Sequence, residues 1–304
     1  MNVTIIGLGL IGGSLGLALC GSALDVTVTG WDRDQTTLAA ALERGAIERA
    51  APTLAAAVAE SDLVVVATPA LAVRAIFEAI APHLPPDVIV TDVASTKTQI
   101  AAWAREILPA SAAFIGGHPM AGSERHGIGA ARPDLLHGAV YCLIPAPDTP
   151  PAALATLHQL VASIGARPLL MPAGAHDASV AAISHLPFLL SAALVQITTS
   201  HASWPELGRI AATGYRDVTR LASGDPAMHR DICLTNAAAI RPWLHDMAGL
   251  LNEIAANLDD PAYLDQLLGS AQQRRNHWLD RRASDAAVTA ADVLAACDAR
   301  PSDA

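Results

Sequence analysis

The 304-residue chain reads as a doubly wound α/β sheet followed by an all-helical second domain. Three features of the sequence predict this. Through the first half, short β-rich runs alternate with alanine-rich helical stretches, the pattern of strand–helix–strand units. Most of these runs are apolar at every position, as parallel strands buried on both faces are. Past Pro172 the strand-like runs stop and helical periodicity takes over.

Taken in order, VTIIG (3–7) is the first strand, and the glycine-rich run that follows opens a helix. VTVTGW (26–31), LVVVAT (63–68) and VIVTDV (88–93) are the next strands, each rich in β-branched residues. Weaker runs near 112–115, 139–144 and 168–171 add further strands. The proline-rich turn PAPDTPP (145–151) precedes a helix at about 151–164. Beyond 172, helices are expected to about Asp298. Leu244, Met247, Leu250, Leu251 and Ile254 recur at three- and four-residue steps and mark one apolar helical face. The domain boundary is therefore placed at 172, giving domains 1–172 and 173–304. The last residues, DARPSDA (298–304), are expected to fray, and there is no internal repeat or low-complexity tract.

Bulk properties narrow the function. A net charge of −10 argues against a nucleic-acid partner, which would require a basic face. An anionic substrate would then need a local pocket of arginine, lysine or histidine. Cys20, Cys142, Cys233 and Cys297 are scattered without a CxxC pair, so reduced thiols are expected rather than a disulfide framework or a metal site. A strand starting at about Asn2 leaves no room for a signal peptide, and no uncharged apolar run reaches the roughly 18–20 residues of a membrane span. A soluble, cytoplasmic protein with no membrane partner is expected.

Gly7, Gly9 and Gly12 form GLGLIG directly after a strand and at the start of a helix, the setting in which this fingerprint binds a dinucleotide. The first glycine permits the tight turn, the second lets the backbone approach the pyrophosphate, and the third allows close helix–strand packing. Free N–H groups at the helix start, those of Leu10 and Ile11 among them, bind the phosphates. An ordinary glycine-rich turn is the alternative. Asp32 ends the second strand about 20 residues later, where a carboxylate accepts hydrogen bonds from the ribose hydroxyls and repels a 2′-phosphate, favouring NAD over NADP. Arg33 beside it could reach a phosphate. Thr68-Pro69 and the stretch Asp92 to Ser95 follow strands at their carboxyl ends, where ligands sit in open α/β sheets.

GGHPMAGSE (116–124) places His118 in a small-residue loop, and a neutral imidazole there is a candidate general base for a hydroxyl proton. Ser95, in TDVASTK (91–97), could hydrogen-bond the same hydroxyl, orient the imidazole, or cap a helix starting near Thr96. Arg220, in TGYRDVTRLASGDP (213–226), could clamp a substrate carboxylate or simply pair with Asp217 or Asp225. Ser184 and His185, in ISHLP (183–187), are substrate-binding candidates, and His185 is equally readable as a core histidine. His118 taken alone is also readable as a surface or capping residue. Lys97 and Glu124 share these motifs without a role assignable from the residues alone.

GLGLIGGSLGLAL (7–19), TDVASTK, GGHPMAGSE, ISHLP and GYRDVTRLASGDPAMHRDI (214–232) stand in the order found in prephenate/arogenate dehydrogenases, the TyrA family, which the chain resembles from residue 1 to about 280. The resemblance implies a Rossmann-like domain followed by a helical domain that forms a homodimer. It implies oxidative decarboxylation of a cyclohexadienyl acid in tyrosine biosynthesis. His118 would be the base, Ser95 its hydrogen-bonding partner, Arg220 the carboxylate clamp, and Glu124 a neighbour of the substrate pocket. Two positions depart from the family pattern: Phe188 where many prephenate-using members have histidine, and His229 where many have tryptophan. Loss of a cationic side chain at 188 favours the amino-acid substrate, arogenate, over the keto acid. The chain ends too soon after the helical domain to carry a ligand-sensing domain or a fused mutase, so any inhibition by product is expected at the active site.

Other readings separate on named residues. β-Hydroxyacid dehydrogenases rely on a lysine in the helical domain, whereas the single lysine here, Lys97, lies in the first domain. A dehydrogenase of an amino-substituted prephenate is a close variant. A catalytically silent dinucleotide-binding regulator should have lost His118 or Arg220, and both are present.

Overall fold

The computed structural model describes residues 1–123 and 125–286. The N-terminal part is built on an eight-stranded sheet: β1 (Asn2–Ile6), β2 (Thr27–Trp31), β3 (Arg49–Ala50), β4 (Leu63–Val66), β5 (Ile89–Asp92), β6 (Ala113–Pro119), β7 (Val140–Pro145) and β8 (Arg167–Leu170). Their order is β3-β2-β1-β4-β5-β6-β7-β8. All neighbours run parallel except β6 and β7. The order reverses between β1 and β4, and that switch point places a ligand crevice at the carboxyl ends of these two strands. The expected doubly wound sheet and the helical segment after it are therefore both present.

The helices α1 (Leu10–Cys20), α2 (Gln35–Glu43), α3 (Leu54–Val58), α4 (Val73–Ile80), α5 (Thr98–Ile107) and α6 (Pro151–Ser163) alternate with the strands. Alternate strand residues serve two separate cores. Ile5, Val65 and Ile89 pack with Leu15 of α1 and Leu157 and Leu160 of α6. Ile6, Val64, Val66 and Val90 pack on the other face with Phe77 and Ile80 of α4 and Ile100 of α5. Each fully buried side chain of this size contributes about 1.5–3 kcal/mol. With both faces filled, most of the strands are apolar on both sides and lack alternation; a polar exception, Thr4, is buried with its hydroxyl bonded to the Ala57 carbonyl.

One strand is unforeseen and one local expectation is corrected. The two-residue strand β3 has neither β-branching nor an apolar run to announce it, and it is held by pairing with β2 at Thr29–Arg49 and Gly30–Ala50. GGHP (116–119) is strand, not loop: β6 runs through it, and His118 and Pro119 pair with Cys142 and Tyr141 of β7. Glycine is required there for packing, since a Cβ on Gly117 would lie 2.4 Å from the Asp92 carbonyl oxygen.

After β8 come α7 (Ala173–Val180), a π-helical turn (Ala181–His185), α8 (Leu186–Thr199), α9 (Trp204–Ile210), α10 (Thr213–Thr219), α11 (Pro226–Thr235), α12 (Ala237–Ala256) and α13 (Pro261–Ala286). The window Ala173–Thr199 is long and apolar enough by length and composition to cross a membrane, which corrects the sequence expectation that no run reaches that length. It carries buried His176, Asp177 and His185, as a core helix can and a lipid-facing one rarely does. The chain divides into two compact units, the first Met1–Leu244 and the second starting at His245. Cys20, Cys142 and Cys233 are free thiols, whereas Cys297 and the expected C-terminal fray lie outside the described residues.

Candidate active site

The glycine loop connects β1 to α1. Gly7 takes φ +95°, and a Cβ on Gly12 would sit 2.0 Å from the Gly7 carbonyl oxygen, so the turn and the helix approach both demand glycine. A Cβ on Gly9 would meet nothing within 4 Å, so the loop is open on that side. Gly9 is the N-cap of α1 and supplies no side chain, and the first intrahelical donor is Gly13 N–H to Gly9 O at 2.9 Å. The N–H groups of Leu10, Ile11 and Gly12 therefore lack helical acceptors. Asp32 accepts from Leu8 N–H (2.8 Å) and Asp34 N–H (2.9 Å), which ties the loop to the end of β2 and leaves each carboxylate oxygen a second acceptor site. Arg33 is exposed. Thr68, whose methyl would be 3.2 Å from a Cβ on Gly7, has a buried hydroxyl with no partner among the described residues, and Pro69 after it is exposed. An anion-ready helix start, an acidic side chain at the end of β2 and an orphaned hydroxyl at the switch point fit a dinucleotide.

His118 is 8% exposed and stands at the inner end of a buried chain. Its Nδ1 lies 2.8 Å from His176 Nε2, and His176 Nδ1 lies 2.8 Å from Asp177 Oδ1. Burial pushes the His118 imidazole well below the usual histidine range; charge on Lys97, His176 and His185 pushes the same way and Asp177 opposes it. Burial raises the Asp177 carboxyl, but donors from His176, Thr98 and Lys97 outweigh it and hold the group below the usual carboxylate value. A neutral His118 beside an ionised Asp177 follows at neutral pH.

Asp177 also joins the helical segment to the sheet. Its Oδ1 accepts from Lys97 N–H and its Oδ2 from Thr98 N–H, both at 2.8 Å, so it caps α5 from 79 residues away. Ser95 is therefore not the cap, and α5 begins at Thr98 rather than near Thr96. Ser95 is half-buried and has no hydrogen bond to His118 among the described residues; the imidazole is held instead by His176.

Lys97, fully buried, pairs with Asp92 and donates to the Gly117 carbonyl at 2.6 Å. Gly117 N–H in turn donates to Asp92 Oδ1 at 3.2 Å. The ion pair thus holds both backbone groups of the residue before His118. Burial draws the Lys97 ammonium downward and Asp92 opposes it.

His185, fully buried in the π-helical turn, continues the site. Asn236 Nδ2 donates to the Asp177 carbonyl (2.9 Å) and lies 3.2 Å from His185 Nδ1. Because the first contact fixes the amide as donor, Nδ1 is the acceptor and the neutral ring carries its proton on Nε2. That Nε2 is buried without a partner among the described residues. Burial lowers the His185 pKa to about 4. The ring lies 6.1 Å from Phe188, which stacks on His229 at 4.1 Å and 4°. The two departures from the family pattern are thus in mutual contact. Ser184 is exposed in the same turn.

Arg220 heads an exposed 3₁₀ turn (Arg220–Ser223) that Ser191 of α8 anchors through Ala222 N–H at 3.0 Å. Asp217 pairs with Arg216 (3.2 Å), and Asp225 caps α11 through Ala227 N–H (2.9 Å). Glu124 lies outside the described residues. Sequence reading missed His176, Asp177 and Asn236. Adjacent His-Asp in an alanine-rich helix was the one available signal for the first two, and nothing in spacing links them to His118, 58 residues earlier.

The prephenate dehydrogenase nucleotide-binding domain family matches residues 15–170, and the prephenate dehydrogenase dimerization domain family matches residues 172–269. Prephenate dehydrogenase of Bacillus subtilis is 37% identical over 237 residues, which are 77% of this chain and 64% of that protein. The chain therefore spans less than two thirds of the Bacillus protein. Cyclohexadienyl dehydrogenase of Zymomonas mobilis is 32% identical over 280 residues, 90% of this chain and 94% of that one. Among solved structures, prephenate dehydrogenase from Aquifex aeolicus in complex with hydroxyphenyl propionate and NAD+ superposes with a TM-score of 0.85 at 29% identity, covering 91% of this chain and 98% of that chain. With a glycine loop, a buried histidine and these relatives over nearly its whole length, the chain belongs to the prephenate dehydrogenase family.

Proposed function

We propose that the protein is an NAD-dependent dehydrogenase that oxidatively decarboxylates prephenate, arogenate or both. The observation that carries the reading is His118: a buried, neutral imidazole just beyond the carboxyl end of β5, with Nδ1 engaged by His176 and no partner for Nε2 among the described residues. Gly7, Gly9, Leu10, Ile11, Gly12, Asp32 and Thr68 would hold the dinucleotide, with Arg33, Pro69 and Ser95 at the border of its site. A dinucleotide held there would supply the hydride acceptor. His118 Nε2 takes the proton of the ring hydroxyl, Ser95 positions that hydroxyl, and the His185 Nε2–H and Ser184 offer donors to the substrate. Arg220 binds a substrate carboxylate from its exposed turn. Departure of carbon dioxide leaves an aromatic ring, so the protein has chiefly to align ring and nicotinamide and remove one proton.

We also assign the dinucleotide domain to 1–172 and the substrate and dimerisation domain to 173–304, which the limits of the two family matches support. A cytoplasmic homodimer is the expected form. Ile183, Ile197 and Ile210 are 68%, 74% and 79% exposed, an apolar surface that association would cover.

The test is NADH absorbance with NAD+ and either prephenate or arogenate. Growth with one or both and its loss by about 10²–10⁴-fold in His118→Asn is expected. Silence with both substrates and with either NAD+ or NADP+ would overturn the reading.

A further inference from the structure

We propose that His176 and Asp177 are positioning residues that lock His118 in the Nδ1–H tautomer, so that its Nε2 lone pair alone faces the substrate. The inference rests on the reading of His118 as the base and deepens it. Direction follows from the last member of the chain. Asp177 as a carboxylate can only accept, so the 2.8 Å contact makes His176 Nδ1 a donor. With one proton on His176 its lone pair is on Nε2, and the 2.8 Å contact to His118 then has His118 Nδ1 as donor. A His176 carrying protons on both nitrogens would donate to His118 Nδ1 instead, and the ring ¹⁵N assignment separates the two. One carboxylate thereby sets the protonation of two rings, and His118 is left with one basic nitrogen.

The lock is rigid. His176 is fully buried and Asp177 is 4% exposed. Asp177 is itself fixed by the backbone N–H groups of Lys97 and Thr98, and its carbonyl accepts from Asn236. The rings of His118 and His176 meet edge to face at 71° with centroids 5.0 Å apart, which suits an in-plane N–H···N bond. Turnover then balances without moving a proton along the chain. The substrate O–H bond would break, its electron pair entering the forming C=O as hydride leaves that carbon for bound NAD+, and the proton would form the Nε2–H bond. The C–carboxylate electron pair would then enter the ring as carbon dioxide departs, and the phenolate oxygen would take up a proton. His118 would become an imidazolium that still donates to His176, and the Asp177 carboxylate would stabilise the positive charge created. The groups facing His118 are thus Lys97, His176 and His185, which disfavour that charge, and Asp177, which favours it.

The experiment combines kinetics with ¹⁵N NMR of the histidine rings in the full-length protein. The wild type should show a pyrrole-type Nδ1 and a pyridine-type Nε2 at His118; the reverse assignment would overturn the proposal without touching the dehydrogenase reading. His176→Leu should lower kcat by about 10²–10⁴-fold, the range seen when a histidine base loses its orienting partner, with KM for substrate and NAD+ nearly unchanged. His176→Gln keeps an acceptor near the lost Nε2 and should regain at least about tenfold of that loss. Asp177→Asn removes the charge that favours the imidazolium and should move the acid limb of kcat/KM to lower pH while lowering the plateau. Equal activity of the Leu and Gln variants within threefold of wild type would sink it. Should His176→Leu fail to fold, the wild-type tautomer and the Gln variant still decide. An inactive wild type with the expected tautomer would count against the dehydrogenase reading instead.

Discussion

Phe188 and His229 are the residues at which side-chain charge would bear on substrate preference. Their rings stack at 4.1 Å, and burial lowers the His229 pKa, so the pair presents an uncharged aromatic surface at neutral pH. A cationic side chain at 188 would attract a keto-acid side chain, which carries a net negative charge. An amino-acid side chain is zwitterionic and gains less from it. The wild type is therefore expected to favour arogenate. Phe188→Arg, which stays charged where a buried histidine would not, should shift the ratio of kcat/KM values toward prephenate by about tenfold, the worth of roughly 1.4 kcal/mol. Turnover on both substrates for both proteins measures this, and an unchanged ratio rejects it. His185, by contrast, keeps its Nε2 donor in either case because Asn236 holds Nδ1.

At the scale of elements, what matters is how β6 is pinned where the reaction needs it. Lys97 precedes α5 and reaches across to the Gly117 carbonyl, while Asp92 at the end of β5 accepts from Gly117 N–H. Lys97→Met would strand a buried carboxylate and is expected to cost about 3–5 kcal/mol of unfolding free energy by urea titration. Adding Asp92→Asn, which removes the unpaired charge but keeps an acceptor for Gly117 N–H, should recover part of that. A single variant within about 0.5 kcal/mol of wild type would mean that the pair is not what secures the strand. These elements also show what a sequence can and cannot reveal. The parallel strands announce themselves because both faces of the sheet are filled, as Ile5 and Ile6 show in opposite cores. The extension of β6 through GGHP does not, because glycine and proline mimic a loop and the reason for the glycine is a carbonyl from another strand. His118 is visible by its motif, Arg220 likewise, but His176, Asp177 and Asn236 matter through contacts that only folding creates. The cap of α5 comes from α7, so Ser95, a hydroxyl three residues before the helix, is a mistaken candidate.

The whole molecule inherits a pH dependence from this site. His118 and His185 are buried and neutral, with pKa values pushed down by burial, His185 to about 4. In the unfolded chain both return to about 6.5. Between the two values the unfolded state binds more protons, so stability rises with pH there. Their contribution is therefore fully present above about pH 6.5 and is lost as the pH falls toward 4. Asp177 acts in a separate window, because a carboxyl held below its usual value of about 3.9 loses its contribution only in stronger acid. One global effect works the other way: protonating surface histidines reduces a net charge of −10 and relieves self-repulsion. Salt at about 0.2 M shortens the Debye length below 8 Å and suppresses that long-range term, while the buried histidines are little screened. Under those conditions the urea midpoint should be flat from about pH 8 to 6.5 and fall steadily from 6.5 to 4. His185→Leu, less stable throughout, should fall less steeply over the same range. A wild-type midpoint that stays flat to pH 5 would mean that these rings accept protons in the folded state, contrary to the burial that holds both of them neutral.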